Sequence, residues 1–119
     1  MASPHIDLSP LRKALALLNQ PIVDLTADQV RTVRSILDRV IPQGQVSVFG
    51  SRATGRARPF SDLDLLVTHP QRLSWMQRAE LRDLFEASDL PFCVDVVEAE
   101  GLPPGMARRV AHESAALPV

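Results

Sequence analysis

Apolar positions first recur at helical spacing at Leu11, Leu15 and Leu18, with Ala14 and Leu17 widening the stripe. Ser9 and Pro10 suit the start of that helix, and Asn19, Gln20 and Pro21 its end. A second helix opens with the capping box Thr26-Ala27-Asp28-Gln29, and Leu25 and Val30 are spaced for a hydrophobic staple. Val30, Val33, Ile36, Leu37, Val40 and Ile41 hold one face of it. Arg31, Arg34, Asp38 and Arg39 lie largely on the other and read as a solvated face, and Pro42 and Gly44 end it. The period then changes from helical to two. Residues 46–49 are apolar almost throughout, as in a central strand. After a loop, Asp62 and Asp64 alternate with Leu63, Leu65 and Val67, and His69 and Pro70 end that second strand. Ser74 and Gln77 form another capping box at the head of a third helix, about 74–88, with Trp75, Ala79, Leu81, Leu84 and Phe85 as its apolar face. Pro91 precedes a third strand over 92–98, and Pro103, Pro104 and Gly105 lead into a last helix, about 105–115. Strand, helix, strand in this order implies a right-handed crossover if the second and third strands run in the same sense. The proline-rich connections leave that sense open.

Composition narrows the class. A chain of 119 residues, 45% of them apolar, makes one globular domain with a core of useful size. A net charge of −1 argues against general nucleic-acid binding, which needs a basic face, but leaves room for one nucleotide on a local basic patch. The single cysteine, Cys93, excludes an internal disulfide and fits a reducing cytosol. No apolar run suits a membrane span, and the first ten residues lack the basic and apolar regions of an export leader, so a cytoplasmic protein is expected.

The chemistry concentrates between residues 46 and 67. Asp62 and Asp64 point to one face at the start of an otherwise apolar strand, an arrangement that is costly unless a cation sits there. A divalent metal held by oxygen ligands answers that cost, and Mg²⁺ usually arrives with substrate phosphates. The intervening loop carries Arg52, Arg56 and Arg58 and no acid, and a Gly50-Ser51 turn would offer backbone N–H groups and a hydroxyl to a phosphate. Carboxylates facing a phosphate-binding turn are the layout of metal-assisted phosphoryl or nucleotidyl transfer. Such transfer needs a further acidic ligand near the attacking hydroxyl. Of Asp95, Glu98 and Glu100, Asp95 is the choice: a buried mid-strand aspartate between Val94 and Val96 demands a partner, whereas a glutamate at a strand end does not. His5, His69 and His112 are too dispersed to form a metal cluster, and Cys93 reads as a small core hydrophobe. Arg108 and Arg109 read as a solvated helix face.

Gly50, Ser51, ten residues, then Asp62-Leu63-Asp64 resemble the G-S-x10-D-x-D signature of the polymerase-beta-like nucleotidyltransferase superfamily. Most of 46–98 is similar to its minimal nucleotidyltransferases (MNT), the antitoxin halves of HEPN/MNT toxin–antitoxin pairs. The resemblance implies an α+β fold, a small mixed sheet with helices on one face; length makes 1–119 a single domain, and 1–25, a helical N-terminal extension read from periodicity alone, departs from the family pattern. The resemblance implies catalytic and metal-binding roles for Asp62, Asp64 and Asp95, with two Mg²⁺ ions, and nucleotide binding by Gly50, Ser51 and Arg52, the last neutralising part of a triphosphate. Arg56 and Arg58 are left between steering the nucleotide and facing solvent. The implied activity is transfer of AMP from ATP to a hydroxyl of a partner protein, a HEPN toxin encoded nearby. Two alternatives remain: an antitoxin that neutralises by docking alone, and an antibiotic adenylyltransferase, which the lack of room for a substrate domain disfavours.

Overall fold

The computed structural model describes Ser9, Pro10 and residues 23–118. The leucine-rich helix expected at Leu11, Leu15, Leu17 and Leu18 lies outside them. The described elements run α1 (Ala27–Val40), β1 (Gln45–Phe49), α2 (Ser51–Thr54), β2 (Leu63–Thr68), α3 (Trp75–Ala87), β3 (Val94–Glu98), a 3-10 turn (Ala99–Gly101), α4 (Pro104–Glu113) and β4 (Ala115–Ala116). The fold is α+β, as expected.

Both capping boxes form. The Thr26 hydroxyl accepts from the Gln29 N–H while the Gln29 side chain accepts from the Thr26 N–H, and Ser74 and Gln77 repeat this at α3. Each such cap contributes about 1 kcal/mol. The face of α1 predicted to be apolar is buried at Val30, Val33, Ile36, Leu37 and Val40. Arg34 departs from the expected solvated face: its guanidinium donates to the carbonyls of Leu117 (2.8 Å) and Pro118 (3.1 Å), tying the end of the described chain to α1. On α3, Leu81 and Phe85 are buried, but Trp75 is 76% exposed. Six residues before Leu81, Trp75 sits about 120° round the helix from the apolar stripe.

The sheet order is β3-β2-β1-β4. β1 is central, antiparallel to both β2 and β4, and β2 pairs in parallel with β3. The open question of strand sense is thus answered: α3 is the crossover between parallel neighbours. Val46, Val48, Leu63, Leu65 and Val67 form the buried face and share one core with Val33, Ile36, Leu37, Leu81 and Phe85 of the helices.

Three elements departed from the periodic reading. A helical turn, α2, occupies what was expected to be an open loop. The last helix stops at Glu113, and Ala115–Ala116 then pairs with Ser47 and Val48. The third strand begins at Val94 rather than at 92, because Phe92 turns into the core, where it is 8% exposed.

Candidate active site

The site is built on the ends of β1 and β2. Gly50 leaves β1 with φ of 72°, a left-handed conformation that glycine adopts without steric cost. A Cβ there would run into the carboxylate of Asp64, so the turn passes that carboxylate as closely as it does only because residue 50 has no side chain. Ser51 then starts α2, whose first amides have no partner within the helix. Gly55, with φ of 77°, ends it in the left-handed form usual after a helix. Thr54 Oγ1 donates to the Gly50 carbonyl (3.1 Å), closing the turn on itself.

Across from that turn lie the carboxylates. Asp62 is exposed and Asp64 half-buried, while Leu63, Leu65 and Val67 between and beyond them are fully buried, the alternation a strand dictates. In the parallel register Asp64 stands opposite Asp95. The structure thus brings Asp62, Asp64 and Asp95 together, but for a different reason than expected. β3 is an edge strand and Asp95 is exposed, so register and not burial brings it to Asp64. Glu98 is also not idle. Its Oε1 accepts from the Leu73 N–H (2.8 Å) and its Oε2 pairs with Arg78 (2.7 Å), which commits it to holding α3.

The Asp64 carboxyl is pushed above the ordinary aspartate value, first by burial, then by the charge of Asp95, then by that of Asp62. Among the described residues, none of the three aspartates has a cationic side chain paired with it. The donor set is all oxygen, which suits Mg²⁺. Among the described residues no group of three potential ligands already encloses a point where an ion could sit. An open set of this kind fits an ion that keeps water and phosphate oxygens in its shell.

Arg52 is used otherwise than the motif reading expected. It is 4% exposed, and its guanidinium is taken up by backbone carbonyls and by the ring of Phe92 rather than facing the Ser51 cleft. The cationic side of the site comes instead from Arg56 and from Arg109 on α4. With Gly50, Ser51, Thr54 and Glu113 they line a cleft of about 360 Å³. Neither arginine is ion-paired among the described residues. Arg58 does not reach that cleft. Arg109 was set aside in the sequence as solvated, and nothing in its local pattern marks it; only the packing of α4 beside β1 brings it in. A larger cleft, about 480 Å³, is lined by Asp62, Phe60, Phe92 and Cys93 among others. Cys93 is exposed there, not a core residue. No helix among the described residues is long and apolar enough to cross a membrane.

A Gly-Ser turn facing a carboxylate pair at the end of a central strand defines a nucleotidyltransferase, and sequence comparison agrees. The family profile described as "Nucleotidyltransferase domain" matches residues 30–117, and the chain belongs to that family. It is 36% identical over 76 residues to the "Probable protein adenylyltransferase MntA" of Haemophilus influenzae, covering 64% of this chain and 67% of that protein. Among solved structures, a toxin–antitoxin with AMP-PNP is 27% identical with a TM-score of 0.63, covering 74% of this chain and 71% of that one. A complex of the tri-AMPylated HEPN toxin of Shewanella oneidensis with its MNT antitoxin is 26% identical with a TM-score of 0.56, covering 74% and 67%.

Proposed function

We propose that this chain is a protein adenylyltransferase, the antitoxin of a HEPN toxin, moving AMP from ATP to a hydroxyl of that partner. The observation that carries the reading is the apposition of Asp62, Asp64 and Asp95 to the Gly50-Ser51 turn, whose cleft Arg56 and Arg109 also line. The relative from H. influenzae is named for this activity, and the two structural neighbours are toxin–antitoxin complexes.

In this reading the Ser51 hydroxyl and the first amides of α2 donate to the β- and γ-phosphates, and Arg56 and Arg109 balance their charge. Asp62 and Asp64 would hold two Mg²⁺ ions, with Asp95 completing the ligand set, and the ions would supply charge neutralisation of the triphosphate and acidification of the attacking hydroxyl. Asp95, on the open edge strand, accepts the proton of that hydroxyl as its oxygen bonds to the α-phosphorus. The bond from the α-phosphorus to the bridging oxygen breaks, and pyrophosphate leaves. Exposed Asp62 and Asp95 leave the acceptor side open, which suits a hydroxyl presented by a docked protein. This chain has no tyrosine of its own, so a tyrosine acceptor belongs to another molecule.

ATP labelled at the α-phosphate tests this. Label should pass to a co-encoded HEPN partner, with little on this chain alone, and the transfer should be lost in Asp62→Ala and Ser51→Ala proteins. Label on a small molecule or a nucleic-acid end would overturn the antitoxin role. A partner neutralised without taking label would favour docking alone.

A further inference from the structure

Arg52 is the one buried charged residue among those described, and it has no carboxylate beside it. Its charge is met by backbone. Nε donates to the Ser61 carbonyl (3.1 Å) and Nη1 to that of Asp24 (2.9 Å). Nη2 is shared among the carbonyls of Arg58 (3.3 Å), Pro59 (3.1 Å) and Ser61 (2.9 Å). The guanidinium also lies 4.0 Å from the centroid of the Phe92 ring. Three of the four carbonyls belong to the irregular loop that ends on Asp62, and the Ser61 carbonyl is bonded directly to the Asp62 nitrogen. Phe92 precedes Cys93, whose carbonyl accepts from the Leu63 N–H (2.9 Å). One side chain therefore ties the loop before Asp62 to the lead into α1 and to the start of β3, the strand that carries Asp95.

We propose that Arg52 is a positioning residue for the metal: through the carbonyls of Arg58, Pro59 and Ser61 it fixes where the Asp62 carboxylate stands relative to Asp64 and Asp95. The proposal rests on the reading of those aspartates given above. The loop itself supplies little order, since Gly55, Arg56, Arg58, Pro59 and Phe60 are all exposed and Phe60 is 76% so. Left unanchored, it would let Asp62 wander, and displacements of about 1 Å in such ligand sets cost heavily. A lysine keeps the charge but not the planar fork that reaches four carbonyls at once.

The test uses the full chain and an unreactive nucleotide, α,β-methylene-ATP, with calorimetry and amide hydrogen exchange. In Arg52→Lys, the Mg²⁺ needed for half-maximal nucleotide binding should rise about tenfold, the scale of losing a residue that orients a metal ligand. Nucleotide affinity at saturating Mg²⁺ should be unchanged, and exchange should quicken through residues 57–63 but not in α1 or β1. Phe92→Leu, which removes the ring beneath the guanidinium, should raise the Mg²⁺ requirement in the same direction by less. It decides the matter if Arg52→Lys does not fold: an unchanged requirement in it then overturns the proposal. Weaker nucleotide binding at saturating Mg²⁺ with an unchanged metal requirement would make Arg52 a phosphate ligand, and no change in either would leave it a core filler. Asp62→Ala separates the two levels. A normal metal requirement in that variant would remove the reading of the aspartates, whereas the exchange pattern of Arg52→Lys does not depend on it.

Discussion

Asp64 stands where three effects meet: burial, the two neighbouring carboxylates, and a backbone that comes within reach only at Gly50. Its carboxyl titrates above the ordinary value near 3.8. Between that value and the raised one, the folded metal-free protein keeps a proton that the unfolded chain has released. Stability therefore falls as pH rises through that window. Asp64→Asn should abolish transfer while leaving the metal-free melting temperature at neutral pH unchanged or slightly higher, and should flatten this part of the pH profile. A large drop in melting temperature would make Asp64 structural. If Asp64 is the proposed ligand, Mg²⁺ would compete with its proton, so Mg²⁺ binding should weaken on acidification earlier than an unperturbed aspartate predicts, as a titration at several pH values will show. Gly50→Ala should be harmful on two counts. With φ of 72° and ψ of −152°, residue 50 occupies a region essentially confined to glycine, where alanine costs on the order of 1–3 kcal/mol, and its Cβ would push the Asp64 carboxylate aside. Chemical denaturation should show the first loss and transfer rates a larger one.

Among the elements, α4 supplies the second arginine of the cleft proposed to take the phosphates. Arg109→Ala should raise the ATP concentration for half-maximal rate by about tenfold, the worth of one charge-assisted hydrogen bond, with little change in stability because Arg109 is exposed. An unchanged half-saturation would return Arg109 to the solvent. α1, α3, β1 and β2 were legible because each carries its own signal: two capping boxes, an apolar helical stripe, an alternation with a carboxylate face. α2 was not, since four residues are too few for a period to show and its start depends on the φ of Gly50. β4 was not, since two alanines have no strand preference and form a strand only because β1 offers an unpaired edge. Of the proposed site, the motif names Gly50, Ser51, Asp62 and Asp64. Asp95 is chosen from the sequence by an argument from burial that the edge position of β3 does not support. Arg52 was misplaced because adjacency in sequence to Ser51 says nothing about which way the side chain turns at a helix start. Arg109 was invisible, its approach to Ser51 being wholly a matter of tertiary packing.

For the whole molecule, one sheet separates two regimes: an apolar face closed by α1 and α3, and an end at which like charges are left open to solvent. That openness costs stability and gains nothing unless cation and phosphate fill it. We propose that residues 1–119 act as one nucleotidyltransferase domain, with 1–25 as an extension available to the partner or to the core. We propose that the aspartates and the Gly50-Ser51 turn form a single metal–nucleotide site. Titration calorimetry with α,β-methylene-ATP, once with Mg²⁺ and once with chelator, tests this. Without metal, Asp62, Asp64 and Asp95 repel the phosphates, so binding should be weak; with Mg²⁺ it should be appreciable, and Asp64→Asn should remove the difference. Equal affinity with and without Mg²⁺ in the unaltered protein would mean that the aspartates and the turn do not form one site.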